Sequence, residues 1–328
     1  MATFGVTIRS LAASLFTLAV MFTPVAAQDG YPNRPITMLV GFGAGSATDV
    51  VARVVATKLW QRLGQRVVVE NKTGAAGNIA SELATRARPD GYTLLAVASA
   101  IATNPAVSKL NFDTERDLTP IALVGWLPTV LEVNSALPVK TVKEFVEYAK
   151  QHPGEINFGS SGTGGSTHLA GELFAMQTGI KLTHIPYRGN AQALTALMGD
   201  EIHALFDNML GATSQASNPR IRLLAISADA QSNLLPNLPT YAEAGFPNYK
   251  ASILFGFMGP AKMPKAVVDR LNQEINEVMK DPEIVQQLST KGGMQLTTGT
   301  PGMFASVLHD EIAKWTEVAK HGNIKIDQ

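Results

Sequence analysis

Cysteine is absent from all 328 residues, which excludes disulfide staples, thiolate zinc sites, a cysteine nucleophile and a lipid-bearing cysteine. Charge is sparse too: 16% of residues are charged, 27 Lys and Arg against 27 Asp and Glu. No basic field exists to neutralise a phosphate backbone, so nucleic acid is not an expected partner. No pair among the six His has the His-x-x-x-His spacing of a helical zinc site, and neither a metal nor a cofactor is expected. No long linker rich in Ser, Pro, Gly or charge divides the chain. What the chain has is apolar residues, 45% of the total, the profile of a folded globular protein. A chain of about 300 residues buries roughly three quarters of its unfolded surface, a core that needs no crosslinks.

The first segment stands apart. Arg9 is its one charge, Leu11 to Phe22 is an apolar run, and Val25-Ala26-Ala27 are the small residues a signal peptidase requires. The run falls short of the roughly 20 residues that span a bilayer. Met1 to Ala27 is therefore expected to be a signal peptide, cleaved after about Ala27, and the mature chain is expected to be exported, free and soluble. Its charge balance stays near neutral.

Downstream the pattern alternates. Pro35 to Val40 reads as a strand, Gly41 to Ser46 as a glycine-rich turn, and Asp49 to Leu63 as a helix ending before Gly64. Arg66 to Val69 and Thr93 to Ala98 read as further strands around a helix at Asn78 to Ala87. A second set begins near Trp126: an extended Leu127 to Val133, helices at Thr141 to Gln151, Ser166 to Gln177 and Ala191 to Met198, and strands at Ile156 to Phe158, Lys181 to Ile185, Ala204 to Phe206 and Ile221 to Ile226. From Leu254 a strand leads into helices at Lys265 to Lys280, Pro282 to Lys291 and Pro301 to His321, the last with Thr300-Pro301 as cap and first residue. The expectation is an α/β protein of two lobes, each a mostly parallel sheet flanked by helices. The lobes would comprise residues 28–127 with 252–328, and 128–251, with a ligand cleft between them.

Parallel strands present ligands at their carboxyl ends, where the next helix offers free N–H groups and the positive end of its dipole. Two loops fit. One is Phe42-Gly43-Ala44-Gly45-Ser46, with Ser46 a candidate N-cap and Asp49 three residues on. The other is Ser160-Ser161-Gly162-Thr163-Gly164, with Ser166 and Thr167 offering further hydroxyls. Both suit an anion, and a carboxylate held by three or four charge-assisted hydrogen bonds of about 1.5–3 kcal/mol each is compensated for its desolvation. Ser99, just past the strand ending at Ala98, joins the candidate ligand contacts.

Other residues carry two readings. Asp49 either caps its helix or meets an amino group of a ligand. His168, in the first turn after the serine-rich loop, is a helix-surface histidine or a ligand contact, with the surface reading favoured. Arg188, in Pro186-Tyr187-Arg188-Gly189, pairs with a ligand carboxylate or sits solvated at the lip. Asp207 ends a strand at the same edge, where an acid accepts from loop N–H groups more often than it touches an anion. A rival enzyme reading rests on Gly41-x-Gly43-x-x-Ser46 after a strand and Glu70 after the next, which imitates a dinucleotide fingerprint. Neither loop has the Gly-Lys-Ser/Thr ending of a phosphate-binding loop or the Gly-x-Ser-x-Gly of a nucleophile elbow.

Tyr31-Pro32-x-Arg34-Pro35-Ile36, Val67 to Asn71, Gly74-Ala75-Ala76-Gly77-Asn78 and Pro89-Asp90-Gly91-Tyr92-Thr93-Leu94-Leu95 together resemble the solute-binding receptors of tripartite tricarboxylate transporters, the Bug-type receptors. So do Phe158 to Gly162, His168-Leu169-Ala170-Gly171-Glu172, Pro186 to Gly189 and Leu238-Pro239-Thr240. The resemblance implies a periplasmic, two-lobed binding protein that closes on a small organic carboxylate and hands it to the membrane permease subunits of its transporter; the protein is expected to be a monomer and not an enzyme. It also implies that Phe42 to Ser46 with Asp49, and Ser160 to Gly164, hold a ligand carboxylate. One departure is that the family's first loop has a Gly-Gly pair where this chain has Gly45-Ser46.

Overall fold

In the computed structural model of the chain, residue 2 and residues 30–325 are described. The signal-peptide reading of Met1 to Ala27 otherwise lies outside the described residues. From Pro32 onward the chain forms one compact unit, to which everything below refers.

The first strands are short, apolar and parallel. β1 (Ile36–Val40) pairs with β2 (Val67–Asn71) on one side and β3 (Thr93–Ala98) on the other. Between them lie α1 (Ala47–Leu63) and α2 (Asn78–Thr85). α1 buries Val51, Ala52, Val55, Ala56, Leu59 and Leu63, the three-and-four spacing of one helix face. It starts at the cap Ser46 and stops at Gly64, whose φ of 70° is the left-handed conformation that closes helices. α3 (Ala100–Val107) and the single turn α4 (Thr114–Asp117) precede β4 (Leu118–Leu127). α3 was not expected: Pro105 lies inside it, which breaks the helical sequence pattern.

One residue, Pro128, separates β4 from β5 (Thr129–Asn134) and carries the chain into the second lobe. There follow α5 (Val142–Gln151), β6 (Ile156–Ser160), α6 (Ser166–Thr178), β7 (Leu182–Pro186), α7 (Asn190–Met198), β8 (Ala204–Asn208), α8 (Met209–Gln215) and β9 (Ile221–Ile226). The chain returns through β10 (Ile253–Pro260), then α9 (Lys265–Met279), α10 (Pro282–Ile284), β11 (Gln295–Leu296) and α11 (Pro301–His321). The helix expected over Pro282 to Lys291 widens after Ile284 into a π-helical stretch, Val285–Thr290.

Two sheets result, ordered β11-β4-β10-β3-β1-β2 and β7-β6-β8-β5-β9. The two-lobed α/β architecture is as expected, with sheets that are mixed. β6 runs parallel to β7 and β8, whereas β5 is antiparallel to β8 and β9, and β10 is antiparallel to β3 and β4. The physical reason is the crossing itself. A strand that leaves one sheet and continues into the other enters from the hinge end, opposite to strands built by helical crossovers. The parallel portions keep their carboxyl ends aligned, and the glycine loops emerge there.

Among the described residues an apolar cluster runs through both lobes, including Leu95 and Leu123 from the first, Phe158, Leu173 and Phe174 from the second, and Leu308, Trp315 and Val318 from α11. α11 packs against α3 and β4 and also against α6. Phe174 is fully buried among Phe145, Phe206 and Tyr249, and truncating such a ring to alanine costs about 3–5 kcal/mol. A smaller cluster of Ala193, Leu197, Ile202 and Leu205 seats α7 on the other face of the second sheet.

Candidate functional site

The first loop is tied down by charge. Asp49 is buried in the first turn of α1, and its carboxylate accepts from Gly45 N–H at 2.9 Å, Asn71 Nδ2 at 2.8 Å and Arg53 Nε at 2.9 Å. Arg53 lies one turn on and also donates to Asn71 Oδ1, while Asn71 Nδ2 donates to the Phe42 carbonyl. The Arg53 guanidinium holds the Asp49 carboxyl down at about 2, against the cost of its burial. Both carboxylate oxygens are engaged by the loop and its neighbours. Ser46 N–H donates to Gly43 O, and Ser46 Oγ accepts from Asp49 N–H. The serine that replaces a second glycine is thus the N-cap of α1. Among the described residues, the N–H groups of Ala44, Ala47 and Thr48 have no acceptor, and they are what the helix terminus offers to an anion.

Backbone contact fixes the loop from behind. A Cβ on Gly41 would lie 2.6 Å from Gly77 Cα, so the loop between β2 and α2 is pressed against the exit of β1. Ala75 and Ala76 there adopt left-handed φ of 47° and 53°, and Asn104 Nδ2 holds the turn through the Ala76 carbonyl and Asn78 Oδ1. A water-sized hollow of about 20 Å³ lies between Phe42, Ala76, Gly77, Ala98 and Asn104. Ser99 is buried, and its Oγ accepts the Leu254 N–H at 2.8 Å, tying α3 to the returning strand β10.

The second loop is tied down by neutral groups. Ser160, fully buried at the end of β6, has its Oγ 2.6 Å from His184 Nε2 and accepts from Gly162 N–H at 3.1 Å. Thr167 Oγ1 accepts from Ser161 N–H at 2.9 Å and lies 3.0 Å from Ser161 Oγ. Gly164 N–H donates to His168 Nδ1 at 3.0 Å. That bond requires a lone pair on Nδ1, so the proton is on Nε2, which faces Glu172 Oε1 at 3.5 Å. His168 is therefore not the expected helix-surface histidine. It is buried, because the loop folds back over the first turn of α6 and needs an acceptor beneath it. Its ring stacks on His184 with centroids 3.5 Å apart, and burial together with that neighbour pushes His184 down to about 3. The N–H groups of Thr163, Ser166 and Thr167 have no acceptor among the described residues.

Arg188 is exposed at the approach to α7, and its backbone N–H donates to Gln192 Oε1. Asp207 is fully buried and accepts from Asn190 Nδ2, Asn208 N–H and Asn208 Nδ2. Here the loop-bonding reading is the one displayed. Glu70, the acid of the dinucleotide reading, lies on edge strand β2 and pairs with Lys72 at 3.0 Å. A larger hollow of about 540 Å³ lies apart from both glycine loops, among Trp126, Ser227 and Ser252 at the lobe crossings and Glu311 and Lys314 of α11. Arg53, Asn71, His184 and Asn190 were missing from the sequence-based site. Arg53 was legible as the helical neighbour of Asp49, and Thr167 as a hydroxyl beside the loop. His184 comes from a different strand and gave no sequence signal.

Comparison with known proteins gives the family. The profile of the family described as tripartite tricarboxylate transporter family receptor matches residues 51–324. Protein BugT of Bordetella pertussis is 34% identical over 306 residues, 92% of this chain and 93% of that protein. An R. palustris protein solved with adipate is 32% identical with a TM-score of 0.76, covering 90% of this chain and 100% of the other. The periplasmic binding protein BugD is 31% identical with a TM-score of 0.73 over the same shares. The chain belongs to the receptor family of the tripartite tricarboxylate transporters.

Proposed function

We propose that the mature protein is a monomeric periplasmic receptor, not an enzyme, which captures a small organic carboxylate between its lobes and delivers it to the permease subunits of a tripartite transporter. One observation carries this reading. At the carboxyl end of a parallel strand in each lobe, a buttressed glycine loop precedes a helix whose first N–H groups have no acceptor within the described residues. Such a terminus attracts anions through its donors and its dipole. The related R. palustris protein solved with adipate supports a carboxylate as the ligand class.

In this reading Phe42 to Ser46 with Ala47 and Thr48 receive the ligand on one side, and Ser161 to Gly164 with Ser166 on the other. Asp49, Ser160, His168 and Asp207 shape the loops from below, and Arg188 meets the ligand at the lip. The lobes comprise residues 28–127 with 252–328, and 128–251, after removal of the signal peptide near Ala27. A ligand that touches both lobes stabilises the closed form by its difference in affinity for the two forms.

Thermal melting of the mature chain against a panel of mono-, di- and tricarboxylates, adipate included, is expected to give a rise in Tm for at least one acid, as binding to the native state requires. A panel with no shift and no calorimetric heat contradicts the proposal. Ser161→Ala with Thr163→Ala is expected to weaken binding at least tenfold, about 1.4 kcal/mol, with the fold intact.

A further inference from the structure

The second lobe buries two acids that the carboxylate site does not use directly. Register places them together: Val130 pairs with Asp207 and Glu132 with Leu205 across β5 and β8. Side chains two residues apart share a face, so Glu132 and Asp207 are diagonal neighbours on one side of the sheet, a gap that a long side chain spans. Both are fully buried. Neither oxygen of Glu132 has a hydrogen-bond partner, and Oδ2 of Asp207 and Oδ1 of Asn190 have none either. Four buried acceptor oxygens thus lack a donor. Two buried ionised carboxylates without a counter-charge are costly, and the inexpensive remedy is a proton.

The surroundings supply no other remedy. β5 contributes Glu132 and Val130, β9 contributes Leu223 opposite Glu132, α7 contributes Asn190, and α8 contributes Asn208 and Gly211. A Cβ on Gly211 would fall 2.1 Å from Asp207 Oδ2, so the first turn of α8 lies directly on that oxygen. His184 pairs with Phe158, and Phe158 with Ala204, which places the His168 and His184 stack on the opposite face. Arg188 is exposed two residues before Asn190. Among the described residues no Lys, Arg or His side chain is hydrogen-bonded or ion-paired to either acid.

We propose that Glu132 and Asp207 hold one proton between them at the carboxyl end of β8, on the sheet face that α7 covers, and that this proton couples carboxylate capture to pH. The coupling half rests on the receptor reading above; the proton itself does not. Burial and the Asp207 charge push Glu132 well above the usual carboxylate range, so Glu132 is the neutral partner of the pair. Burial raises Asp207 to about 6 against the pull of Asn190 and Asn208. Asp207 ends β8, next to the β6 exit where the ligand anion would dock. An arriving anion disfavours the second negative charge, so binding draws a further proton from solvent onto Asp207. Protonated Asp207 still accepts from Asn190 and Asn208, which keeps the starts of α7 and α8 in place.

Two measurements on the mature protein without ligand test the proton. Infrared spectra at pH 7 are expected to show a buried protonated carboxyl that disappears in Glu132→Gln; its absence from the wild type overturns the proposal. The side-chain amide resonances of Asn190 and Asn208 are expected to titrate together near pH 6, to stop titrating in Asp207→Asn, and to move to higher pH in Glu132→Leu, which replaces the neighbouring carboxyl by an apolar group and deepens the burial of Asp207. An unmoved midpoint in Glu132→Leu overturns the shared proton, and Glu132→Gln, which retains a donor, controls for misfolding. For a carboxylate that binds in the panel, the Kd is expected to rise between pH 5.5 and 8 by about tenfold for each unit that the bound anion raises the Asp207 titration. A Kd that is flat over this range, with the amide titration present, overturns the coupling alone. A panel without any binder defeats the receptor reading and leaves the ligand-free measurements to judge the proton.

Discussion

The two glycine loops share a plan and differ in what holds them. The first is clamped by an ionised network, with Asp49 against Arg53, Asn71 and Gly45. The second is clamped by uncharged groups: Ser160 on His184, Ser161 on Thr167, and Gly164 on His168. An anion meets an acidic residue already neutralised on one side and a loop clamped by uncharged groups on the other. The same task, keeping helix-start N–H groups exposed in a fixed array, is solved by charge pairing in one lobe and by imidazole and hydroxyl acceptors in the other. The difference predicts opposite weaknesses.

The largest effect is expected from Asp49→Ala, which strips three donors of their acceptor. Hydrogen bonds to charged groups are worth about 1.5–3 kcal/mol, and Arg53 is half exposed and solvent-screened, so urea denaturation should show a loss of roughly 2–3 kcal/mol. A loss below about 0.5 kcal/mol would mean that the network holds nothing. Next is His168→Phe, which keeps a ring against His184 and leaves Gly164 N–H without its acceptor, at about 1–2 kcal/mol. Binding should weaken in the same variant, because the second loop is freed.

Acid should separate the loops. His184 is depressed from 6.5 to about 3, so the unfolded chain binds more protons between those values, and lowering the pH through that window destabilises the second lobe. Asp49 is depressed from 3.8 to about 2; its contribution is present above about 4 and is lost as pH falls through 2. Asp207, raised to about 6, acts in the opposite direction between about 4 and 6 and partly offsets His184 in a global melt. Local amide exchange is therefore the sharper readout: residues 161–165 should lose protection between pH 6.5 and 4 while residues 43–49 keep theirs, and equal behaviour of the two would erase the distinction. The smallest effect is that of Arg188→Ala, which should leave stability within about 0.5 kcal/mol and lower only the affinity.

The local signals were strong where one segment decides the outcome. Thr93–Ala98, Ile221–Ile226 and Pro301–His321 form as expected, because apolar runs and caps specify them without help from elsewhere. Ser46 as a cap and Asp49 as its partner were likewise visible, three residues apart. What could not be read are pairings between distant segments. His184 under Ser160, Asn104 under Ala76 and the β4 to β10 pairing each join parts of the chain that carry no local mark of the other. Glu132 is intermediate. It stands between Leu131 and Val133 in an apolar run and was not singled out, and its neighbour Asp207 follows only from the register of β5 and β8.

The long C-terminal helix has a mechanical consequence. α11 rests on α3 and β4 at one side and on α6 at the other, and α6 carries the second glycine loop at its tip. Tightly packed side chains slide past one another in small steps more readily than they part. The jaws should therefore pivot on this helix as on an axle, with travel set by how far α6 can roll across its buried face, which includes Leu308, Trp315 and Val318. Trimming one of those side chains, far from any guest molecule, is a way to change how wide the mouth opens.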